Sequence, residues 1–368
     1  MTSHDQKLQD ENYMRMALSL AFNGTGSVSP NPRVGCVIVR DSKIIGTGWH
    51  KCCGEPHAEV EAVRNAGEDV KGSTVYVNLE PCCHHGRTPP CAPMLIEKGV
   101  SRVVIGMTDP NPLVDCRGES MLRDAGVEVT SGVLGKESKW MNRGFIRRMR
   151  NGRPWITIKT ASSIDGNIAL KDGSSKWITG ESSRQKVHIM RAENDALLSG
   201  VGTVIADDPT FTVRDAEGKS PKRVILDRRL RTPLSAAIFN EKNLIFFTSA
   251  DASVDKINSI RELGAEVLTI DAPECSELEF VLAKLCEIGV NYLMVECGAR
   301  LTSSLLRYGL ADEISIFMAP KILGAGIHFT EYLELDSLDE AISIKDINTS
   351  ACGDDIWIRG VLSCSPDL

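Results

Sequence analysis

The chain has 368 residues, too many for one ordinary hydrophobic core and enough for two domains. Its 42% hydrophobic and 25% charged content is that of a soluble globular protein, and no run approaches the ~18–20 apolar residues of a membrane span. A net charge of −7 gives no global basic surface for nucleic acid, and the polar N-terminus lacks the apolar stretch of a secretory signal, so the 12 cysteines read as reduced cytoplasmic thiols, some of them metal ligands.

Tyr13, Met14, Met16, Ala17, Leu20 and Ala21 recur near 3.6 spacing and predict a helix over 12–24, closed by Asn23-Gly24. Val34 to Val39 and Ile44 to Trp49, joined at Asp41-Ser42, predict a hairpin. Pro56-His57 opens a helix that runs to Gly67. A strand over Thr74 to Leu79, a helix over Cys91 to Lys98 and a strand over Arg102 to Met107 follow. A Pro/Asn turn at 109–112, a helix over Glu119 to Ala125 and a strand over Val127 to Thr130 complete the half. Alternating strands and helices predict an α/β domain over 1–150 with a largely parallel sheet after its hairpin.

Residues 136–153 read as a joint carrying Arg143, Arg147, Arg148, Arg150 and Arg153. They suit a solvated helix plus linker, or a basic rim that attracts an anionic substrate. A second α/β pattern over 151–368 begins at Trp155–Lys159. Its strands recur at Ala196–Ser199, Arg223–Asp227, Asn243–Thr248, Glu266–Ile270, Tyr292–Glu296 and Glu313–Met318, with helices at Ser182–Glu193 and Leu278–Ile288 among them.

The chemistry concentrates in His57-Ala58-Glu59 and in Pro81-Cys82 to Cys91. One His and two Cys leave a fourth position on zinc open for water, and a nearby Glu moves the protons. The order matches the zinc-deaminase signature H-x-E…P-C-x-x-C with a longer gap between the cysteines. His57, Cys82 and Cys91 are therefore the candidate ligands and Glu59 the proton carrier. Cys82 directly follows Pro81, which favours it over Cys83. Cys52, Cys53 or Cys83 could instead close a structural site, and metal-free thiols are a third reading. In the second half no complete G-x-G-x-x-G occurs, so a Rossmann dinucleotide site is not supported.

The stretch Glu80-Pro81-Cys82-Cys83-His84-His85-Gly86-Arg87-Thr88-Pro89-Pro90-Cys91 resembles the deaminase half of the bifunctional riboflavin-biosynthesis RibD family, as do Asn31 to Cys36, Glu55 to Glu59 and Asp109 to Pro112. Lys159 to Gly166, Ser175 to Thr179, Gly202 to Pro209 and Val295 to Gly298 are similar to its reductase half. The resemblance runs over about residues 10 to 362. It implies a cytidine-deaminase-like domain followed by a dihydrofolate-reductase-like one, zinc and NADPH as cofactors, and a homo-oligomer, dimer or tetramer.

It further implies deamination of 2,5-diamino-6-(5-phosphoribosylamino)pyrimidin-4-one and then reduction of the ribose to ribitol. Asn31, His50, His84 and Arg87 would bind the first substrate. Lys159 and Asp207 would be catalytic in the second half, with Ser175, Arg191, Phe211, Arg214 and Glu296 around the substrate. Ala161, Trp177, Thr203, Asp207 and the turn Gly298, Ala299, Arg300, Leu301, Thr302, Ser303 and Ser304 would hold the cofactor. Arg228-Arg229 stands where the family pattern has a small polar residue.

Overall fold

The computed structural model describes residues 3–67, 69–84, 89–111, 116–272 and 276–368. They form two compact units, Met1–Gly152 with Leu368, and Arg153–Asp367. No described helix is long and apolar enough to cross a membrane.

The first unit holds α1 (Ser3–Phe22), β1 (Gly35–Arg40), β2 (Lys43–Trp49), α2 (Ala58–Asn65), β3 (Thr74–Val77), α3 (Cys91–Glu97), β4 (Arg102–Ile105), α4 (Arg117–Asp124), β5 (Glu128–Ser131), α5 (Gly135–Met141) and α6 (Arg143–Asn151). Its sheet runs β2-β1-β3-β4-β5, antiparallel up to β3 and parallel beyond. Asp41 and Ser42 both take positive φ, as the tight turn between β1 and β2 requires. Helix α1 starts at Ser3, before the predicted residue 12, because its first turns are polar helix formers with no apolar stripe to read. It is anchored by buried Asp10, which takes two hydrogen bonds of 2.8 Å from the Arg102 guanidinium.

Two glycines let helices lie directly on the hairpin. A Cβ at Gly35 would sit 2.0 Å from the Ala17 carbonyl oxygen, and one at Gly48 would sit 2.5 Å from that of Ala58. The second approach fixes the start of α2 against the sheet. Helices that cross between parallel strands run against them, so helix starts gather where strands end.

The joint is structured rather than a linker. Helix α6 buries Gly144, Phe145, Ile146 and Arg147, and Gly152 ends it in the left-handed conformation. The solvated reading of 136–153 is thus corrected: arginine count alone hides that the Phe145-Ile146 face packs inward.

The second unit continues with β6 (Trp155–Ser163), β7 (Asn167–Ala169), α7 (Glu181–Glu193), β8 (Ala196–Gly200), α8 (Val201–Asp207), β9 (Lys222–Leu226), β10 (Leu244–Ser249), α9 (Val254–Glu262), β11 (Glu266–Ile270), α10 (Glu277–Glu287), β12 (Tyr292–Glu296), α11 (Ala299–Arg307), β13 (Glu313–Ala319), β14 (Ile327–His328), β15 (Ile344–Cys352) and β16 (Asp355–Leu362). The large sheet runs β11-β10-β9-β8-β12-β6-β13-β16-β15. It is parallel from β11 to β13, and β16 and β15 add an antiparallel edge. Every residue of β12 is buried, as expected of a strand covered on both faces. The same strand order brings the ends of β8, β12 and β6 side by side.

Candidate functional site

Three chain segments meet in the first unit. His57 is the residue before α2, Cys82 follows β3 and its loop, and Cys91 opens α3. Their ligand atoms all lie within 4.8 Å of one another. His57 Nδ1 is 3.5 Å from Cys82 Sγ and 3.3 Å from Cys91 Sγ. Zinc with Zn–N of about 2.05 Å and Zn–S of about 2.3 Å at tetrahedral angles puts N and S roughly 3.5 Å apart, so the trio fits the ion. Cys52, Cys53 and Cys83 are outside this group, which leaves three ligands among the described residues.

The two thiols behave as a pair. The Cys91 thiol donates to Cys82, which holds Cys82 low and pushes Cys91 up. The Cys91 backbone N–H also donates to Cys82 Sγ at 3.3 Å. A proton held between two sulfurs is what a bound dication displaces.

Glu59 sits in the first turn of α2, 4% exposed, against Cys91. Burial raises its carboxyl above the usual range, opposed by the charge of His57. Glu59, His57 and Cys82 open on a cavity of about 360 Å³. Asn31, His50 and His84 line it too. His50 Nδ1 lies 3.0 Å from the Pro56 carbonyl oxygen and must donate to it, so His50 Nε2 accepts from the Asn31 amide at 3.0 Å. Burial lowers the His50 pKa, which keeps this neutral form. His84 Nδ1 is buried without a hydrogen-bond partner among the described residues. Arg87 lies outside the described residues.

Asp109, Asn111, Glu80 and Arg148 are among the lining residues to which the sequence assigns no individual contact. Asp109 and Asn111 line the cavity; Asp-Pro-Asn-Pro reads as a turn and as part of the family resemblance, with no contact assigned to either residue. Burial pushes the Asp109 carboxyl up to about 7. Glu80 lines it as well, and its carboxylate accepts backbone N–H groups of Asp109, Cys116 and Glu119 at 3.1–3.2 Å. It thereby ties the cysteine loop to the 109–119 segment. Arg148, from α6, is the fourth. Its signal was the arginine run, which periodicity alone could not aim.

In the second unit Lys159 and Glu296 are register partners on β6 and β12. The Arg191 guanidinium, from α7, donates to both Glu296 oxygens at 2.6 and 3.0 Å, and Lys159 Nζ is 3.7 Å from Glu296 Oε2. Burial opposes the charge on Glu296, but Arg191 and Lys159 outweigh it and hold the carboxyl at about 2. Burial lowers the Lys159 pKa against the pull of Glu296. Arg191 also donates to the Thr212 carbonyl, and its guanidinium stands 5.8 Å from the Phe211 ring centroid.

Arg214 is exposed; its backbone N–H donates to His188 Nδ1 and its guanidinium to Thr210 Oγ1, both at 3.3 Å. Ser175 Oγ donates to Asp207 Oδ1 at 3.5 Å. Asp207 ends α8, on which Thr203 also stands. Ala161 is two residues beyond Lys159 on β6. Trp177 is 65% exposed.

Gly298 precedes α11, and an added Cβ there would meet nothing within 4 Å, so the helix start faces open space. Ala299, Thr302 and Ser303 are buried, Leu301 packs on the core, and the Ser304 hydroxyl donates to the Arg300 carbonyl. What remains for a ligand is backbone N–H at the end of β12, a setting that suits a pyrophosphate. Arg228 pairs with Glu277 at 3.1 Å.

Known proteins match both halves. Residues 7–107 match the family model "Cytidine and deoxycytidylate deaminase zinc-binding region", and residues 154–358 match "RibD C-terminal domain". The riboflavin biosynthesis protein RibD of Aquifex aeolicus is 43% identical over 350 residues, 95% of this chain and 97% of its own length. That of Escherichia coli is 42% identical over 335 residues, 86% of this chain and 89% of its own. Among solved structures, Acinetobacter baumannii RibD superposes with a TM-score of 0.89 at 38% identity, covering 97% of this chain and 99% of that one. A Thermotoga maritima diaminohydroxyphosphoribosylaminopyrimidine deaminase/5-amino-6-(5-phosphoribosylamino)uracil reductase gives 0.86 at 37%, covering 97% and 99%. With a zinc-type trio in one unit, a paired Lys–Glu–Arg cluster in the other, and this likeness over nearly its whole length, the chain belongs to the riboflavin biosynthesis protein RibD family.

Proposed function

We propose that the chain carries out two consecutive steps of riboflavin biosynthesis, with 1–150 the deaminase domain and 151–368 the reductase domain. The first replaces the 2-amino group of 2,5-diamino-6-(5-phosphoribosylamino)pyrimidin-4-one by oxygen. The second reduces the ribosyl group of 5-amino-6-(5-phosphoribosylamino)uracil to ribityl. The observation that carries this reading is the His57–Cys82–Cys91 trio, of which His57 and Cys82 open, with buried Glu59, onto one cavity. When bound, zinc at the trio makes water acidic enough to attack near pH 7, and NADPH in the second domain supplies a hydride.

Glu59 takes one proton from the attacking water and gives it to the ring nitrogen, then takes the second from the resulting hydroxyl and gives it to the departing amine, so that ammonia leaves and the carbonyl forms. Asn31 and the neutral His50 it is bonded to, with His84 and Arg87, hold the polar ring and sugar edge. In the second domain the ribosylamine opens to a C1′=N imine, whose reduction needs a hydride on C1′ and one proton on the nitrogen. Lys159 holds the sugar oxygens, and Asp207 orients the open sugar and supplies the proton. Ser175, Arg191, Phe211, Arg214 and Glu296 surround the substrate. Ala161, Trp177, Thr203, Asp207 and residues 298–304 hold the cofactor.

The same reading extends to a cytoplasmic homo-oligomer that binds no nucleic acid. The net charge of −7 favours the last point, and no disulfide joins the described cysteines. The test is direct: zinc-replete protein given the diamino compound should release one ammonia per turnover, measured without NADPH. No ammonia would defeat the deaminase reading. Release of ammonia from cytidine instead would move the site to the nucleoside deaminases.

A further inference from the structure

We propose that Arg148 anchors the phosphate of the pyrimidine substrate in the deaminase cavity, an inference that rests on the function just given. Phe145, Arg148 and Met149 all line that cavity. They are spaced i, i+3, i+4 on α6, so one face of this helix forms part of the wall. The other charged side chains on the wall are mostly acids: Glu55, Glu59, Glu80 and Asp109. Among the described lining residues Arg148 is the one whose positive charge is permanent.

A phosphate monoester dianion entering a wall with four carboxyl groups needs a cation close by, and a guanidinium offers the planar fork that grips two phosphate oxygens. The side chain is held for that task. Arg148 Nη2 donates to the Pro30 carbonyl at 2.8 Å, and its guanidinium carbon lies 5.8 Å from the Phe145 ring centroid. Pro30 immediately precedes Asn31, the partner of His50, so the tether places the cation one residue from the proposed sugar-binding pair. The rest of the arginine run does not share this place: Arg147 is buried with its guanidinium on Asn151, and Arg150 is exposed and outside the lining.

The experiment measures ammonia release from the phosphorylated substrate and from its dephosphorylated ribosylamino counterpart. Arg148→Gln should raise KM for the phosphorylated compound about tenfold to a hundredfold, the loss expected for one charge-assisted contact, with kcat little changed. KM for the dephosphorylated compound should not move, and Arg148→Lys should recover part of the loss. Zinc content and melting temperature serve as the check that the variant is folded. An equal rise in KM for both compounds would make Arg148 a brace for the Pro30–Asn31 segment and overturn the proposal. So would no rise for either. Wild-type protein that releases no ammonia from either compound would defeat the underlying function, a result distinct from these.

Discussion

Glu59→Gln should bind zinc at the wild-type ratio and lose deamination by about 10²–10⁴-fold, the usual range for a removed general acid–base group. The substitution keeps the size and the polar end of the side chain, so the first turn of α2 and its His57 neighbour keep their places. It removes the one function an amide cannot supply, the reversible uptake of a proton. Glu59 is well placed for that cycle because it is buried beside Cys91 and open to the cavity. Burial raises its carboxyl, which makes the protonated state that must serve the departing amine easier to reach. Metal analysis and an ammonia assay on the same sample check the point. Activity within tenfold of wild type would remove Glu59 from proton transfer.

Lys159→Ala should cut NADPH oxidation on the deaminated substrate by about 10²-fold or more, the scale on which preorganised charge acts at a reacting centre. Its ammonium is set on β6 directly opposite Glu296, and burial lowers its pKa against the pull of that carboxylate. The fold should survive, since Glu296 keeps both hydrogen bonds from Arg191 and therefore its counter-charge. Stopped assays of NADPH absorbance with the deaminated compound read the effect. A rate equal to wild type would place Lys159 outside the reacting centre.

The metal site was legible because its chemistry is local in sequence: His57 and Glu59 are two residues apart, and each cysteine sits at a helix start or follows a proline. The parallel strands were legible as short β-rich runs. The hairpin of β15 and β16 was not, because β15 is an edge strand exposed almost throughout and has no apolar alternation to read. The cavity wall was only half visible. Glu80 and Asp109 act through backbone N–H groups and burial, neither of which leaves a periodic trace. Arg148 belongs to a run of arginines whose members differ only in the direction the helix turns them. In the second domain the cluster of Lys159, Arg191 and Glu296 joins residues more than a hundred positions apart, and only the β12–β6 pairing brings the outer two together. Resemblance, not spacing, had to name them.

The claim that two chemistries act in a fixed order on one chain can be tested by removing the metal. Protein stripped of zinc by a chelator should oxidise NADPH at the normal rate when given the deaminated compound. It should oxidise none when given the diamino compound, and added zinc should restore that reaction together with ammonia release. NADPH oxidation by the stripped protein on the diamino compound at the same rate as on the deaminated one would contradict the account.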